Sequence, residues 1–347
     1  MKKIFLSVLA VAALASCTKM DTAYEAPQEI GFKAVAGNMT KSVVDGETYP
    51  TDLNMFIYAW TASSTAESAD YIDNGEFVYR KAIDGTNVWG GKKPYYWPNV
   101  HTLYFAGYSA SGNASDNASY NCKSDILTIS NYAPGKTGAN DLMWFPKTAQ
   151  SYGKNTVFVP VTMYHTCAWI TFLVKGDAVT GNSSSPYTIT GLKMTQVDQT
   201  ATVSCSNSST PKIQWTGNTD KSGTTAEYSV ALKNNSITLT EDAKDVETNA
   251  AYGAVEGTTS SNIVVIPQAP GKLSLTYTYE SAAGTLITEV VDNLDLALAK
   301  DNSSNEGPTQ WEPGKHYIYT ITIKANEILI APKPVDWTDG NWNITVE

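Results

Sequence analysis

Trp311-Glu-Pro-Gly314, His316-Tyr-Ile-Tyr-Thr-Ile-Thr-Ile323 and Glu327-Ile-Leu-Ile-Ala-Pro-Lys-Pro334 decide how the chain is read. The first is a turn, because Pro313 presets φ and Gly314 can take the positive φ that closes a type II bend. The second puts Tyr317, Tyr319, Ile321 and Ile323 on one face of a period-2 ribbon. The third runs into Pro332 and Pro334, which remove ladder donors and force an edge or an exit. Strand character resumes at Asn341-Trp-Asn-Ile-Thr-Val346. A strand isolated in this way can pair within its own chain or be lent to a neighbour.

The same rhythm extends back through the chain. Ile30 and Phe32 start a short strand over 29–35. Met55-Phe-Ile-Tyr-Ala-Trp60 is a continuous apolar run, read as a sheet centre, and Glu76-Phe-Val-Tyr-Arg80 alternates. Thr102-Leu-Tyr-Phe-Ala106 and Thr166-Cys-Ala-Trp-Ile-Thr-Phe-Leu-Val174 are further strands, and the small polar run 109–121 reads as a loop. Gly176 to Pro186 reads as a domain linker. Beyond it, Asn262-Ile-Val-Val-Ile-Pro267, Lys272-Leu-Ser-Leu-Thr-Tyr-Thr-Tyr279 and residues 285–291 are strands, while 293–300 reads equally as a helical turn or a strand edge. Strand-sized runs separated by turns, with few helix-length periodic segments, predict all-β sandwiches. At 347 residues the chain has room for two domains. The boundaries read as 18–28 for a tether, 29–178 for the first domain and 179–347 for the second.

Residues 1–17 read as an address rather than a fold. Lys2 and Lys3 precede an apolar run, Ile4 to Leu14, that is too short to span a bilayer. Leu14-Ala-Ser-Cys17 looks like a bacterial lipobox, which makes Cys17 the expected lipid-bearing residue. Thr18 rather than an aspartate follows, so an inner-membrane retention signal is absent and the outer membrane is the favoured destination.

The formal net charge of −10 and a single arginine, Arg80, argue against a nucleic-acid partner, which is recognised through arginine forks. With Cys17 lipidated, Cys122, Cys167 and Cys205 form an odd set that allows one bridge at most. Cys167 lies in an apolar strand as a small hydrophobe. His101, His165 and His316 are far apart and form no metal-binding motif, so neither a metal nor another cofactor is expected. Ser115-Asp-Asn117, Lys136-Thr-Gly138 and Ser151-Tyr-Gly-Lys154 spell the penicillin-binding motifs in the wrong order, and no other nucleophile motif occurs. No enzyme activity is expected. Tyr95, Tyr96 and Trp97 offer rings that could stack on sugars if they face solvent.

Several of these stretches together resemble one family. Lys93-Pro-Tyr-Tyr-Trp-Pro98 followed by Leu103-Tyr-Phe-Ala-Gly-Tyr108, Asp141-Leu-Met-Trp144, Val157-Phe-Val-Pro-Val161 and Tyr164-His-Thr-Cys-Ala-Trp-Ile-Thr-Phe172 are similar to the signature segments of Bacteroidetes fimbrillin-like proteins. Val265-Ile-Pro-Gln268, Trp311 with Gly314, Tyr317 with Tyr319, and Val335-Asp-Trp337 continue the likeness to the end of the chain. The resemblance implies two transthyretin-like Greek-key β-sandwich domains in tandem. It also implies export as a lipoprotein, removal of the leader with the first strand, and assembly into a cell-surface fimbria by strand exchange. On that reading Ile30 and Phe32 mark the removable strand, and Ile328, Ile330, Trp342, Ile344 and Val346 mark the donor region. The implied partners are other fimbrial subunits by strand insertion, the outer membrane through the lipid on Cys17, and a host or bacterial surface ligand. Polymerising members of the family are cut after an arginine near the start of the first domain. Here no arginine precedes Arg80, so Lys33, Lys41 and Arg80 are the candidate processing residues. Without processing, the chain would be an anchor or tip subunit, or a lipid-held glycan-binding protein.

Overall fold

The computed structural model describes residues 28–37, 49–61, 66–81, 86–98, 102–134, 140–153, 158–181, 184–206, 212–217, 227–230, 232, 235–242, 244–245, 263–299, 307–325 and 328–336. The strands begin with β1 (Gly31–Gly37), β2 (Met55–Thr61), β3 (Ile72–Lys81), β4 (Asn87–Gly91) and β5 (Thr102–Ser109). A single helical turn, α1 (Ala114–Asn117), leads into β6 (Ala118–Asn121), β7 (Ile126–Tyr132), β8 (Met143–Ser151) and β9 (Val159–His165). The chain continues through β10 (Ala168–Gly176), β11 (Thr188–Thr195), β12 (Ala201–Ser206), β13 (Lys212–Gly217), β14 (Glu227–Ser229), β15 (Ile237–Thr238) and β16 (Lys244–Asp245). It ends with β17 (Ile263–Val265), β18 (Lys272–Glu280), β19 (Leu286–Asp295), β20 (Lys315–Ile323) and β21 (Ile328–Asp336). The all-β expectation holds.

The first seven-stranded group closes on itself in the order β1-β4-β3-β2-β5-β8-β9. There β1 completes a continuous ladder. Its interior is aromatic, with Phe32, Phe77, Trp89, Phe105 and Phe145 all buried. The apolar run read as a sheet centre is β2, paired on both sides, with β3 and β5.

A second core gathers around β10, which is buried along almost its whole length because Ala168 to Val174, Thr171 apart, are apolar on both faces. This strand pairs in parallel with β20, from Trp169↔His316 to Gly176↔Ile323. Ile170, Phe172 and Val174 pack with Leu192, Leu273, Tyr319 and Ile321. Gly176 to Pro186 therefore connects two strands of one core, and its described part is a tight turn. Asp177 Oδ1 accepts from the Val179 and Thr180 amides at 3.0 and 2.9 Å, and these bonds hold its carboxyl below the usual range. The Thr180 hydroxyl donates to the Ile323 carbonyl at 2.5 Å.

A third sheet, β13-β12-β7-β6, joins strands from both sides of that turn. It covers a cluster formed by Tyr58, Trp60 and Trp144 from the barrel's outer wall, together with its own Tyr132 and Val203 and with Trp169. The 109–121 stretch, expected as a loop, holds α1 and β6. Its composition is small and polar, but Tyr120 stacks on Tyr58 at 5.4 Å and lies 5.0 Å from Trp60, which pins it to the core. The ambiguous 293–300 stretch begins as the end of β19. Asn293 there adopts φ +63°, and Asp295 Oδ1 then accepts from the Ala297 amide at 2.9 Å to start a turn.

Candidate functional site: the strand that closes the barrel

Residues 28–30 approach the barrel before β1 begins. The Trp97 amide donates to the Gln28 carbonyl at 2.9 Å, and the Ile30 amide donates to the Tyr95 carbonyl at 2.7 Å. The strand β1 then lies antiparallel to β4 through Gly31↔Gly90 and Phe32↔Trp89. On its other side it runs parallel to β9 from Phe32↔Val159 to Gly37↔Tyr164. Alternation sends Ile30, Phe32 and Ala34 inward, where all three are buried. Phe32 sits edge-on to Phe77 at 5.0 Å and to Phe105 at 5.3 Å, with Phe145 at 6.1 Å. Burying a side chain of this size contributes roughly 1.5–3 kcal/mol, so β1 is an integral stave. The predicted strand residues Ile30 and Phe32 are thus brought together in one closing element.

The other sequence-selected residues are dispersed. Lys33 is on β1 with its side chain in solvent and its backbone opposite Pro160. Arg80 is on β3, where its guanidinium donates to the Gly91 carbonyl at 2.7 Å and to Glu29 Oε1 at 3.2 Å. That contact links β3 and β4 to the residues entering β1, and the sequence carried no local sign of it. Ile328 is half-buried against the second core, and Ile330 pairs with Ile321 in the β20–β21 ladder. Cys17, Lys41, Trp342, Ile344 and Val346 lie outside the described residues.

The prolines act as the sequence suggested. The strand β21 carries Pro332 opposite Tyr319 and Pro334 opposite Tyr317, and among the described residues it is the terminal strand of its sheet. An edge position tolerates their missing donors.

The motif residues singled out by sequence build framework. Gly314 adopts φ +67° and its amide donates to the Cys167 carbonyl at 2.8 Å. The Trp311 indole donates to the Tyr319 hydroxyl at 2.8 Å. The Gln268 side chain accepts from the Asp198 amide at 2.7 Å and donates to the Asp198 carbonyl at 3.1 Å. His165 Nδ1 and Asp141 Oδ2 meet at 2.5 Å, both buried, beside the junction of β9 and β10. The His316 ring stacks on Trp169 at 3.6 Å and meets the Thr171 hydroxyl at 2.9 Å. Burial pushes the His316 pKa down to about 3.

The Tyr95, Tyr96 and Trp97 trio does not form a sugar platform. Trp97 is buried edge-on against Phe105, Tyr95 stacks on Phe77 at 5.7 Å, and only Tyr96 is exposed. Inward Phe77 and Phe105 capture the flanking rings, which leaves a single aromatic for solvent. Cys122, Cys167 and Cys205 are free and buried. Among the described residues no group of His, Cys, Asp or Glu has the arrangement of a metal site, and no helix is long and apolar enough to cross a membrane.

These features define an all-β protein whose polar motif residues serve its framework. By comparison with known sequences the chain belongs to the fimbrillin-like family, whose profile matches residues 40–337. It is accordingly a fimbrillin-like protein and not an enzyme. Among solved structures it is similar to a fimbrial protein from Bacteroides vulgatus, with 14% identity and a TM-score of 0.58 over 89% of this chain and 99% of that one. It is also similar to a fimbrilin (fimA) from Porphyromonas gingivalis, with 15% identity and a TM-score of 0.42 over 92% and 99%. A third similarity is to the C-terminally truncated tip fimbrial protein Mfa3 of that organism, with 10% identity and a TM-score of 0.38 over 90% and 100%. No curated protein matches the chain by sequence. Membership in this family associates the chain with cell-surface fimbriae and with other fimbrial subunits.

Proposed function

We propose that the chain is a structural subunit of a cell-surface fimbria, exported as an outer-membrane lipoprotein through Cys17 and assembled by strand exchange. The observation that carries this reading is the position of β1 between β4 and β9. Taking β1 away would leave two unpaired edges flanking a groove lined by Phe77, Phe105 and Phe145, which contact Phe32. Such a groove is receptive to another extended segment, which restores ladder bonds and fills the pockets with alternate side chains. The donor is the C-terminal region: Ile328 and Ile330 stay paired at home in β21, and Trp342, Ile344 and Val346 beyond it supply the inserted strand. We read the molecule as two transthyretin-like units in tandem. Because the side chains of β10 bury in the second core, we set the division at Thr166–Cys167 rather than at Gly176–Pro186.

The neighbours of each candidate processing residue discriminate among them. Cleavage after Arg80 would discard β1, β2 and most of β3 of the seven staves, leaving no barrel to accept a strand. Lys33 lies within β1, where its backbone is paired with β9 at Pro160 and directly follows the Phe32↔Trp89 pairing with β4, which shields it from a protease. Lys41 follows β1 in sequence, so a cut there frees β1 as one piece. The expected N-terminus of protein sheared from cells is therefore at or near Ser42. Sheared protein that still carries lipid on Cys17 would rule out release of β1. It would favour a second reading, a non-polymerising anchor or tip subunit, which the contact between Arg80 and Glu29 supports.

A further inference from the structure

The sheet edges of this molecule are not equally guarded. Native edge strands avoid pairing with other chains by being short, by carrying lysine or proline, or by bulging. Here β6 and β14 are short, β13 opens with Lys212, and β21 holds Pro332, Lys333 and Pro334. In contrast, β19 is ten residues long, ends its sheet among the described residues in the order β14-β11-β18-β19, and contains neither lysine nor proline. Leu286 and Val290 project into solvent at 70% and 57% exposure.

Its three carboxylates keep their charge, but donors of the same chain hold each of them in place. Glu289 accepts from the Tyr277 hydroxyl at 2.7 Å and from the Tyr279 hydroxyl at 3.0 Å. Asp292 accepts from the Ser274 hydroxyl, and Asp295 is bonded to the Ala297 amide. Each is engaged within its own chain. The ladder with β18 is regular from Glu280↔Leu286 to Leu275↔Val291, and the irregularity lies beyond it.

We propose that β19 is a homotypic contact, through which a second copy of this chain pairs antiparallel about Thr288. A two-fold axis perpendicular to the sheet places Thr288 opposite its own copy. The same axis sets Leu286 of one protomer opposite Val290 of its partner, and the reverse. Both exposed apolar side chains are then covered by each other as directly opposed cross-strand neighbours. On the opposite face Ile287 meets Glu289, so no two like charges face one another. An axis at Glu289 would instead oppose two carboxylates. The threonine row Thr188↔Thr278↔Thr288 continues unbroken across the seam. A ladder this short buries less than a standard interface, so the association is concentration-dependent. With a formal charge of −10 on each copy, it tightens as salt screens the long-range repulsion. The proposal does not depend on strand exchange at β1.

The test uses the full-length Cys17→Ser chain, whose other thiols are buried. Under mild oxidation Thr288→Cys should form a disulfide dimer roughly tenfold or more faster than Thr278→Cys, since only the former brings two copies within bridging distance. Leu286→Lys with Val290→Lys should abolish the dimer in sedimentation, with far-UV dichroism unchanged because both positions are exposed. Equal cross-linking at the two positions would overturn the proposal, as would a dimer that survives the double lysine variant. Cross-linking of Thr288→Cys only to a different fimbrial subunit would assign the edge to that subunit and equally overturn self-pairing.

Discussion

Phe32 illustrates how much one side chain holds. It is fully buried and meets three other phenylalanine rings, so Phe32→Ala should cost about 3–5 kcal/mol by removing both transfer and packing energy; urea unfolding of the two proteins measures this. His316 makes a pH-dependent contribution. Burial lowers its pKa from 6.5 to about 3, so below pH 6.5 the unfolded chain binds a proton that the folded chain refuses. The stability associated with neutral His316 is therefore complete above pH 6.5 and falls toward pH 3, by about 1.4 kcal/mol per pH unit from this group. Urea midpoints at neutral and at mildly acidic pH should separate less for His316→Gln than for the native chain. The thiols give a third expectation at this scale. Burial pushes Cys122 up to about 12 and raises Cys167 and Cys205 as well. All three should resist a thiol reagent at neutral pH until the chain is unfolded; prompt labelling of the native protein would contradict their placement.

Among elements, the legible ones are those with an unambiguous period. The run Met55 to Trp60 and the run Ala168 to Val174 read correctly because a strand covered on both faces needs apolar residues at nearly every position. The Tyr317/Tyr319/Ile321 face reads correctly for the simpler reason of alternation. Long-range pairing is not legible. Nothing local in Ile126–Tyr132 announces β12 as its neighbour, because partner choice is settled by packing between distant segments. Arg80 was legible as a lone arginine but not as the partner of Glu29, for the same reason. The strand β21 supplies a prediction at this scale. Deleting residues 337–347 keeps the whole β20–β21 ladder from Lys315↔Asp336 to Ile323↔Ile328. On the strand-exchange reading, the truncated chain should melt like the full chain yet fail to extend a fibre. Normal polymerisation of the truncated chain would remove that segment from assembly.

At the scale of the whole molecule, the closed barrel and the β10-centred core should respond separately to loss of β1. A chain that begins after Gly37 should melt earlier in its first transition and expose aromatic surface. A synthetic peptide of residues 28–37 should restore that transition in a dose-dependent way, because a ligand that binds only the folded form raises its stability by mass action. A peptide with Phe32 replaced by Asp should not. If the shortened chain melts normally without peptide, β1 is dispensable to the barrel and the groove argument fails. The parallel ladders of β1 with β9 and of β10 with β20 have a mechanical consequence. Tension along these strands would load each ladder in shear, with its hydrogen bonds sharing the force instead of opening one at a time like a zip. Only Thr166 and Cys167 separate β9 from β10, so little slack chain lies between the two ladders. A filament built from such units would hold its length under pull, and rupture would follow the slow unfolding rate of a whole ladder.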